Sequence, residues 1–438
     1  MVARPTVVLR LGRVTMKFLQ RPVLLLVIPL ALAAMSPAQP PSPNLTFELP
    51  APTGPMPVGT TRWVLTDASR RETFASGDAP RQVPVVAWYP ATAPSSGQRA
   101  PYFREGLVEI RSFATLLGQP ATAFDELSSV RTHATLDAPP AAAPATLPVL
   151  VFSHGYTGVA SAHAALLEDL ASHGFVVLSV NHSYESTGAG LQGGRDVSVL
   201  DDAGQMRQEI RDLLGEWNAE DATMADVTRA TGREEQRRLL RAYLGTLRRT
   251  NVALDRWVAD TRLVLDWLPA LDRRTPPGRL AARLDAGRAG AFGHSMGGVT
   301  AAQFCAGDRR CRAALNLDGI PQYGPMIDRV FGKPFMMVYS ARPGRVGASD
   351  AIYRQAASRY YRADVGETKH LDFTDMVFWA PLRQRQALGT LDPIRATAIT
   401  RQLVREYFDQ ELRGRPSPLL GRSAALTGVE ITELSAAR

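Results

Sequence analysis

The sequence predicts an α/β fold in which helices flank a mostly parallel sheet. Short apolar runs of the kind that form strands buried on both faces recur along the chain, first at Pro148–Phe152 and then at Phe175–Val180. A helix-periodic stretch, Ala160–Ala171, separates these two runs, and Gly174 ends it. A strand, a helix and a strand in this order join parallel neighbours through a crossover, so the pattern favours a parallel sheet.

The same alternation continues through the second half of the chain. We expect an early strand at Val83–Tyr89 and an Ala- and Pro-rich loop at Ala138–Pro148 before the main series begins. The later strands are predicted at Ala289–Phe292, Ala313–Leu317, Phe335–Tyr339 and Tyr360–Val365, and the later helices at Val299–Ala306 and Arg395–Leu412. Residues 39–438 are interpreted as a single domain with a Pro-rich N-terminal extension at residues 39–58.

A helical insertion is predicted to interrupt this series at about residues 185–255. Apolar side chains recur there at helical spacing, among them Ile210, Leu213, Leu240 and Leu244. The last part is expected to be a core helix that leads back to the sheet. Because the insertion follows the carboxyl end of a strand, where ligands gather in open α/β sheets, it can form a cap over a site. A solvated helical decoration is the alternative, and the sequence does not choose between the two.

The charge of the chain first suggests an anionic partner. The 438 residues include 50 basic and 42 acidic side chains, which gives a formal net charge of +8, and a basic surface attracts nucleic acid. However, five basic residues fall within the first 21 positions, where no acidic residue occurs: Arg4, Arg10, Arg13, Lys17 and Arg21. Removing these five charges from +8 leaves +3, so a nucleic-acid partner is not expected.

These basic residues begin a predicted export signal. The apolar stretch Val23–Ala34 follows them, is broken by a proline, and gives way to small residues at Ser36 and Ala38. Segments in this order are typical of a secretory signal, which we expect to occupy residues 1–38 and to be cleaved after Ala38. Met16 is an alternative start, and an uncleaved anchor is an alternative function of the segment. The mature protein is expected to be periplasmic or secreted, with no stable membrane anchor.

The only two cysteines are Cys305 and Cys311. In an exported chain such a pair closes a short loop and stabilises the fold by about 2 to 3 kcal/mol, because it constrains the unfolded chain. We therefore expect a disulfide, with two free thiols as the alternative. Two cysteines do not make a metal site by themselves, and neither a metal nor a cofactor is expected.

A candidate nucleophile lies in the segment Gly293–Gly298, which reads Gly-His-Ser-Met-Gly-Gly. The segment follows a predicted strand and opens a predicted helix, which is the context of a nucleophile elbow. Gly293 and Gly297 permit the sharp turn, so the Ser295 hydroxyl is expected to face solvent. The N–H of Met296 begins the helix without an intrahelical partner and is expected to face the same site. A glycine-rich turn with a bystander serine is the alternative.

A serine nucleophile needs a base, and the base needs an orienting acid. In α/β-hydrolases the acid and then the histidine follow the serine along the chain. Outside the elbow, His370 is the only histidine after Ser295, and it follows the last predicted strand. Asp318 is the candidate acid because it ends the strand after the elbow strand, where catalytic groups gather. Asp350 is the runner-up; it follows a long loop and precedes a helical pattern, as an N-cap does.

The second oxyanion donor is expected on the loop after an early strand. The loop Ser153–Gly158 occupies that place, and Gly155 lets the chain turn so that the N–H of Tyr156 points at the site. With Met296 it supplies two backbone donors, which are worth about 3 to 4 kcal/mol each in comparable sites. His154 precedes the nucleophile in the chain and is interpreted as structural support for the loop rather than as a base.

This constellation resembles a known family, the plasma-type platelet-activating factor acetylhydrolases and their bacterial relatives, which extend to polyester-degrading esterases. The resemblance covers most of the chain after the leader and is carried by Pro52–Pro55, Val58–Gly59, Trp88–Pro90, Ser153–Gly158, Leu284–Asp285 before the elbow strand, Gly293–Gly298, Asn316–Gly319 and Gly366–Phe373. It implies an α/β-hydrolase fold, a triad of Ser295, Asp318 and His370, and oxyanion donors at Tyr156 and Met296. It also favours Asp318 over Asp350 as the acid.

The expected function is therefore an exported serine hydrolase that cleaves carboxylic esters through an acyl-enzyme. The expected partner is a small-molecule or lipid-like ester, of a short-acyl, lipid or polyester type. The insertion at Gln192–Arg249 departs from the family pattern, which leaves the substrate open. A serine peptidase or acyltransferase on the same scaffold remains an alternative, as does a catalytically inactive binding protein.

Overall fold

A large mixed sheet runs through the computed structural model, which describes residues 45–92, 97–142, 146–271, 280–319, 324–383, 386–421 and 425–434. The predicted export signal, residues 1–38, lies outside the described residues. The first part of the predicted N-terminal extension, residues 39–44, also lies outside them.

The described strands are β1 Val58–Arg71, β2 Pro80–Pro90, β3 Arg99–Pro101, β4 Arg131–Leu136, β5 Leu147–Ser153, β6 Val176–Val180, β7 Ala189–Gly190, β8 Asp196–Val197, β9 Leu284–His294, β10 Cys311–Leu317, β11 Pro334–Ser340, β12 Arg359–Val365 and β13 Val429–Leu434. The described α-helices are α1 Leu107–Leu116, α2 Ala164–Ser172, α3 Gln208–Glu216, α4 Glu220–Arg229, α5 Arg233–Leu244, α6 Arg248–Trp267, α7 Met296–Gly307, α8 Asp350–Ala356, α9 Ala380–Arg383 and α10 Pro393–Arg413.

The main sheet has the strand order β13-β12-β11-β10-β9-β5-β6-β2-β1-β4-β3. Its central block, from β12 to β6, is parallel throughout. Antiparallel strands join it at both sides, β13 beside β12 and β2 beside β6. The carboxyl ends of the parallel strands therefore meet along one edge of the sheet, the edge at which ligands bind in such folds. The predicted fold class is confirmed.

Two apolar cores cover the two faces of the sheet, because successive side chains of a strand point to opposite faces. Val149 and Val151 of β5 share one core with α6 and α7, whereas Leu150 and Phe152 share the other with α2 and α10. The apolar side chains of α3, α4 and α5 join the first of these cores. The insertion is therefore packed onto the domain along its apolar side.

Some element boundaries differ from those predicted. The sequence places Leu284–Asp285 before the elbow strand, but β9 begins at Leu284 because Leu284 pairs with Leu147 of β5. The edge strand β13 and the outer strands β1 and β4 are not predicted, since half-buried and exposed residues occupy much of their length and weaken the apolar signal. Cys305 of α7 and Cys311 of β10 form a disulfide that closes the turn between them.

A buried ion network ties α6 to the sheet. Arg81 of β2 is buried and pairs with Glu72 at 2.8 Å and with Asp260 of α6 at 2.7 Å. Asp260 also forms an ion pair with Arg70 at 2.9 Å. Burial by itself would raise the pKa of Asp260, but the cation of Arg81 and the hydrogen bonds from Arg81 and His182 together outweigh it and hold that pKa far below its usual range.

Replacing Asp260 with alanine is expected to lower the free energy of unfolding by about 3 to 5 kcal/mol, because it leaves buried arginine charge without its partner. Asp226→Ala is the matched control. Asp226 pairs with Arg229 in the open, with both side chains more than half exposed, so its loss is expected to cost at most about 1 kcal/mol. Urea denaturation of both variants checks this, and equal midpoints would contradict it.

Candidate active site

Ser295 occupies a sharp turn between β9 and α7. Its φ of 55° lies in the left-handed region that non-glycine residues rarely adopt. The turn requires glycine on both sides: a Cβ on Gly297 would lie 2.0 Å from the carbonyl oxygen of Ser153, and one on Gly293 would lie 2.3 Å from the backbone of Gly297. The predicted elbow geometry is thus present, and Ser295 is half-buried at the end of β9.

The ends of three neighbouring strands converge on this serine. Its N–H donates to the carbonyl of Leu317 at 2.9 Å, at the end of β10. A Cβ on Gly319 would lie 2.0 Å from the carbonyl oxygen of Ser295. On the other side, a Cβ on Gly155 would lie 3.3 Å from Cβ of Ser295, so the loop after β5 touches the elbow.

Asp318 and His370 form a close pair beside the elbow. The Nδ1 of His370 and the Oδ2 of Asp318 are 2.7 Å apart. Asp318 is buried, whereas the His370 side chain keeps 13% of its exposure. The Nδ1–H group donates a hydrogen bond to the carboxylate. Nε2 is then the unprotonated ring nitrogen that can face a serine hydroxyl.

His294 of the elbow positions the loop that carries His370. Its Nε2 donates to the carbonyl oxygen of His370 at 2.8 Å, and the two rings lie 4.5 Å apart between centroids. Burial lowers the pKa of His294 well below its usual value, and the neighbouring His370 adds to this. His294 is therefore a neutral donor to the backbone and not a second base.

The two predicted oxyanion donors flank the serine. Met296 is the first residue of α7, and Tyr156 follows Gly155 on the loop that touches the elbow. Neither N–H has a hydrogen-bond acceptor within the described part of the chain. The side chain of Tyr156 packs between two tryptophans, with ring centroids 5.6 Å from Trp217 and 5.8 Å from Trp257.

Two further residues surround the carboxylate of Asp318. Ser340, at the end of β11, donates its N–H at 2.8 Å and its hydroxyl at 2.9 Å. Arg342 places Nη2 at 2.8 Å from Oδ2 of Asp318. Burial alone would raise the pKa of Asp318, but Arg342 and the donated hydrogen bonds lower it far below its usual range, so Asp318 stays ionised.

The pKa of His370 is lowered, first by burial and then by the cation of Arg342, while Asp318 opposes the shift. Arg345 adds a smaller effect in the same direction as Arg342. A lowered pKa keeps the imidazole neutral over a wider pH range, which a general base requires. Arg342 and Ser340 were missed in the sequence, although their place just after a central strand of a parallel sheet was a signal for them.

Asp350, the runner-up acid, lies elsewhere. Its carboxylate accepts from Tyr360 at 2.6 Å, from Tyr339 at 3.2 Å and from Arg362 at 3.1 Å. It is the first residue of α8, and Ser349 takes the N-cap position, so the N-cap interpretation of Asp350 is wrong by one residue. Its hydrogen bonds are those of a structural carboxylate.

The insertion contacts two of the loops that build the site. Trp217, between α3 and α4, packs against the Tyr156 ring. Arg345, five residues after the end of β11, is buried and bonds to Glu220 of α4 at 2.6 Å and to the adjacent Asp221. The insertion is therefore fixed to the oxyanion loop on one side and to the loop beside Asp318 on the other.

Metal ligands and membrane spans were sought in the same part of the chain. Among the described residues, no group of three or more His, Cys, Asp or Glu is arranged to hold a metal ion. No described helix combines the length and apolar character needed to cross a bilayer.

A serine on such an elbow, at the carboxyl edge of this sheet, defines the α/β-hydrolase class. The model of the family described as "Platelet-activating factor acetylhydrolase, isoform II" matches residues 44–240, which include the loop Ser153–Gly158 and end before Ser295. A platelet-activating factor acetylhydrolase from Cavia porcellus is 25% identical over 247 residues, 53% of this chain. The chain spans about half (49%) of the length of that curated relative.

A solved structure extends the likeness over the whole domain. A ferulic acid esterase from Streptomyces cinnamoneus is 30% identical, with a TM-score of 0.65, over 89% of this chain and 99% of that one. The chain belongs to the family of platelet-activating factor acetylhydrolases and related esterases. The family resemblance predicted from the motifs is confirmed.

Replacing Arg342 with glutamine is expected to move the acid limb of the pH profile of kcat/KM to higher pH. The cation opposes protonation of His370, so its removal raises the pKa of the imidazole, which then loses its basic form at a higher pH. Arg238→Gln is the control, because Arg238 is exposed on α5 and pairs with Glu235. An acid limb that stays in place in Arg342→Gln, or moves to lower pH, would contradict the assigned influence.

Proposed function

We propose that the protein is an exported serine hydrolase that cleaves carboxylic esters through an acyl-enzyme. The single observation that carries the proposal is the 2.7 Å pair of Asp318 and His370 beside a serine held on a left-handed elbow. Membership of a family whose named relatives are an acetylhydrolase and an esterase supports ester hydrolysis as the reaction class.

In the proposed mechanism, the Ser295 hydroxyl oxygen attacks the ester carbonyl carbon while Nε2 of His370 takes its proton. Asp318 holds the ring through Nδ1 and stabilises the imidazolium. The tetrahedral oxyanion accepts the N–H groups of Tyr156 and Met296. Collapse breaks the bond to the alcohol oxygen, which leaves with the proton from His370. Water then attacks the acyl-enzyme by the same steps, releasing the acid and restoring Ser295.

The insertion is proposed to form one wall of the substrate pocket. Trp217 packs on Tyr156, next to the proposed oxyanion donor, and α4 is bound to the loop that carries Arg342. The acyl and alcohol groups would therefore meet side chains of the insertion as well as of the sheet. We propose a short-acyl, lipid-like or polyester-type ester; the relative named a ferulic acid esterase adds aromatic acyl esters to the substrates to be tested.

Export is proposed from the basic and apolar leader at residues 1–38 and from the disulfide between Cys305 and Cys311. Disulfides persist in oxidising compartments, so the pair is compatible with a periplasmic or secreted enzyme.

Replacing Ser295 with alanine is expected to lower kcat on p-nitrophenyl esters by at least about 10⁴-fold, because the nucleophile is lost. Ser129→Ala, at an exposed serine, is the control and is expected to keep the activity of the wild type.

The wild type is then assayed on different substrates. Acetyl, butyryl, octanoyl and feruloyl esters test its acyl preference, a p-nitroanilide of the same acyl group tests peptidase activity, and added butanol tests acyl transfer. A folded wild type that neither turns over nor reacts with a fluorophosphonate at Ser295 would favour the inactive binding protein.

Replacing Asp318 with asparagine is expected to lower kcat by about 10³- to 10⁴-fold with little change in KM, since the imidazole loses its tautomer and its counter-charge. Asp350→Asn is the matched control and is expected to stay within about tenfold of the wild type, because its partners are Tyr339, Tyr360 and Arg362. If the larger loss of kcat falls on Asp350→Asn, the assignment of the acid is wrong.

A further inference from the structure

His154 is a buried residue near the start of the proposed oxyanion loop, Ser153–Gly158. Its Nδ1 lies 2.7 Å from the carbonyl oxygen of Gly155, and its Nε2 lies 3.2 Å from the backbone N–H of His182. A ring nitrogen that faces an N–H must accept, so Nε2 carries no proton. The proton is therefore on Nδ1, which donates to Gly155.

The carbonyl of Gly155 and the N–H of Tyr156 belong to the same peptide group. A trans peptide is planar, so its C=O and N–H point in opposite directions and turn together. The bond from His154 to the carbonyl therefore fixes where the N–H of Tyr156 points. The N–H of Gly158 donates to the same carbonyl at 3.0 Å, which leaves the N–H of Tyr156 directed away from the loop interior.

Burial, together with the nearby His182 and His163, lowers the pKa of His154 to about 3. The ring thus remains neutral at any pH at which an esterase would be assayed, and Nε2 remains an acceptor. This supports the tautomer that the hydrogen-bond geometry assigns.

The backbone at His182, which fixes this tautomer, is itself held by a buried row of side chains. His182 contacts Asp260 at 2.9 Å through Nδ1 and the hydroxyl of Ser153 at 3.2 Å through Nε2. Its ring stacks on Trp257 with centroids 3.8 Å apart. Ser153, His182 and Asp260 have the composition of a catalytic triad, but all three are buried, so they form a support and not a second active site.

We propose that His154 is a positioning residue of the oxyanion hole: its Nδ1 proton holds the Gly155–Tyr156 peptide so that the Tyr156 N–H faces the substrate oxyanion. The inference rests on the proposed ester hydrolysis. It predicts that His154 acts on the transition state and leaves substrate binding almost unchanged.

Three substitutions separate the donor from the rest of the ring. The amide of His154→Asn reaches about the position of Nδ1 and can still donate to Gly155. The amide of His154→Gln reaches about the position of Nε2, and His154→Phe keeps the ring without either nitrogen. We expect the kcat of His154→Asn to stay within about tenfold of the wild-type value. The kcat of His154→Gln and of His154→Phe is expected to fall by about 10²- to 10³-fold, which is the effect of losing one oxyanion donor. KM is expected to stay within about threefold in all three.

His133→Phe is the matched control, because His133 of β4 also donates a ring N–H to a backbone carbonyl, that of Leu49, at 2.9 Å. It is expected to keep kcat within about twofold. A trifluoromethyl ketone mimics the tetrahedral oxyanion. Its affinity is expected to fall in parallel with kcat in His154→Gln and to stay close to that of the wild type in His154→Asn.

The outcomes distinguish this inference from the proposed function. If wild-type protein is inactive and Ser295 resists a fluorophosphonate, the proposed function fails. If the wild type is active but His154→Gln and His154→Phe keep full kcat, only the inference fails.

Nitrogen NMR of selectively labelled histidine in the intact wild-type chain provides a check on the tautomer itself. A proton on Nδ1 of His154 supports the inference, and a proton on Nε2 overturns it.

Discussion

The site depends on one steric constraint, the contact of backbone with backbone at the nucleophile elbow. The carbonyl of Ser153 lies where a side chain on Gly297 would be, and the carbonyl of Ser295 lies where one on Gly319 would be. Any Cβ at these positions would push apart the ends of β5, β9 and β10. The 2.7 Å contact of Asp318 with His370 exists beside Ser295 only because these strand ends are in contact.

The loop after β11 links this contact region to the insertion through two arginines that pair with carboxylates on opposite sides of the loop's contacts: one in the site and one in the insertion. Arg342 pairs with the carboxylate of Asp318, and Arg345 pairs with Glu220 and Asp221 of α4. Only two residues, Pro343 and Gly344, thus separate the arginine that pairs with the proposed acid from the arginine that pairs with the insertion. The same short loop therefore contacts both the carboxylate that accepts from His370 and the helix α4 of the insertion.

The sequence predicted the parallel block of the sheet, the elbow, and the residues that converge on it, because strand hydrophobicity and the Gly-X-Ser-X-Gly turn are local signals. It did not predict the edge strands such as β13, whose partly exposed residues lack a buried pattern. It also missed Arg342 and the tautomer of His154. The place of Arg342 after a central strand was a signal, but its pairing with Asp318 and the contact of His154 with His182 join different segments of the chain and are not encoded by a local pattern.

The buried row of Ser153, His182 and Asp260 has the same composition as the proposed triad of Ser295, His370 and Asp318, and comparing the two separates composition from function. His182 lies 2.9 Å from Asp260, and His370 lies 2.7 Å from Asp318. The carboxylates of both rows are paired with arginine. The difference is at the serine. Ser153 is buried within β5, whereas Ser295 is half-exposed on a left-handed turn, beside two backbone N–H groups that have no acceptor among the residues described. Access for a substrate and donors for its oxyanion, rather than the three residue types, decide which row is suited to ester chemistry.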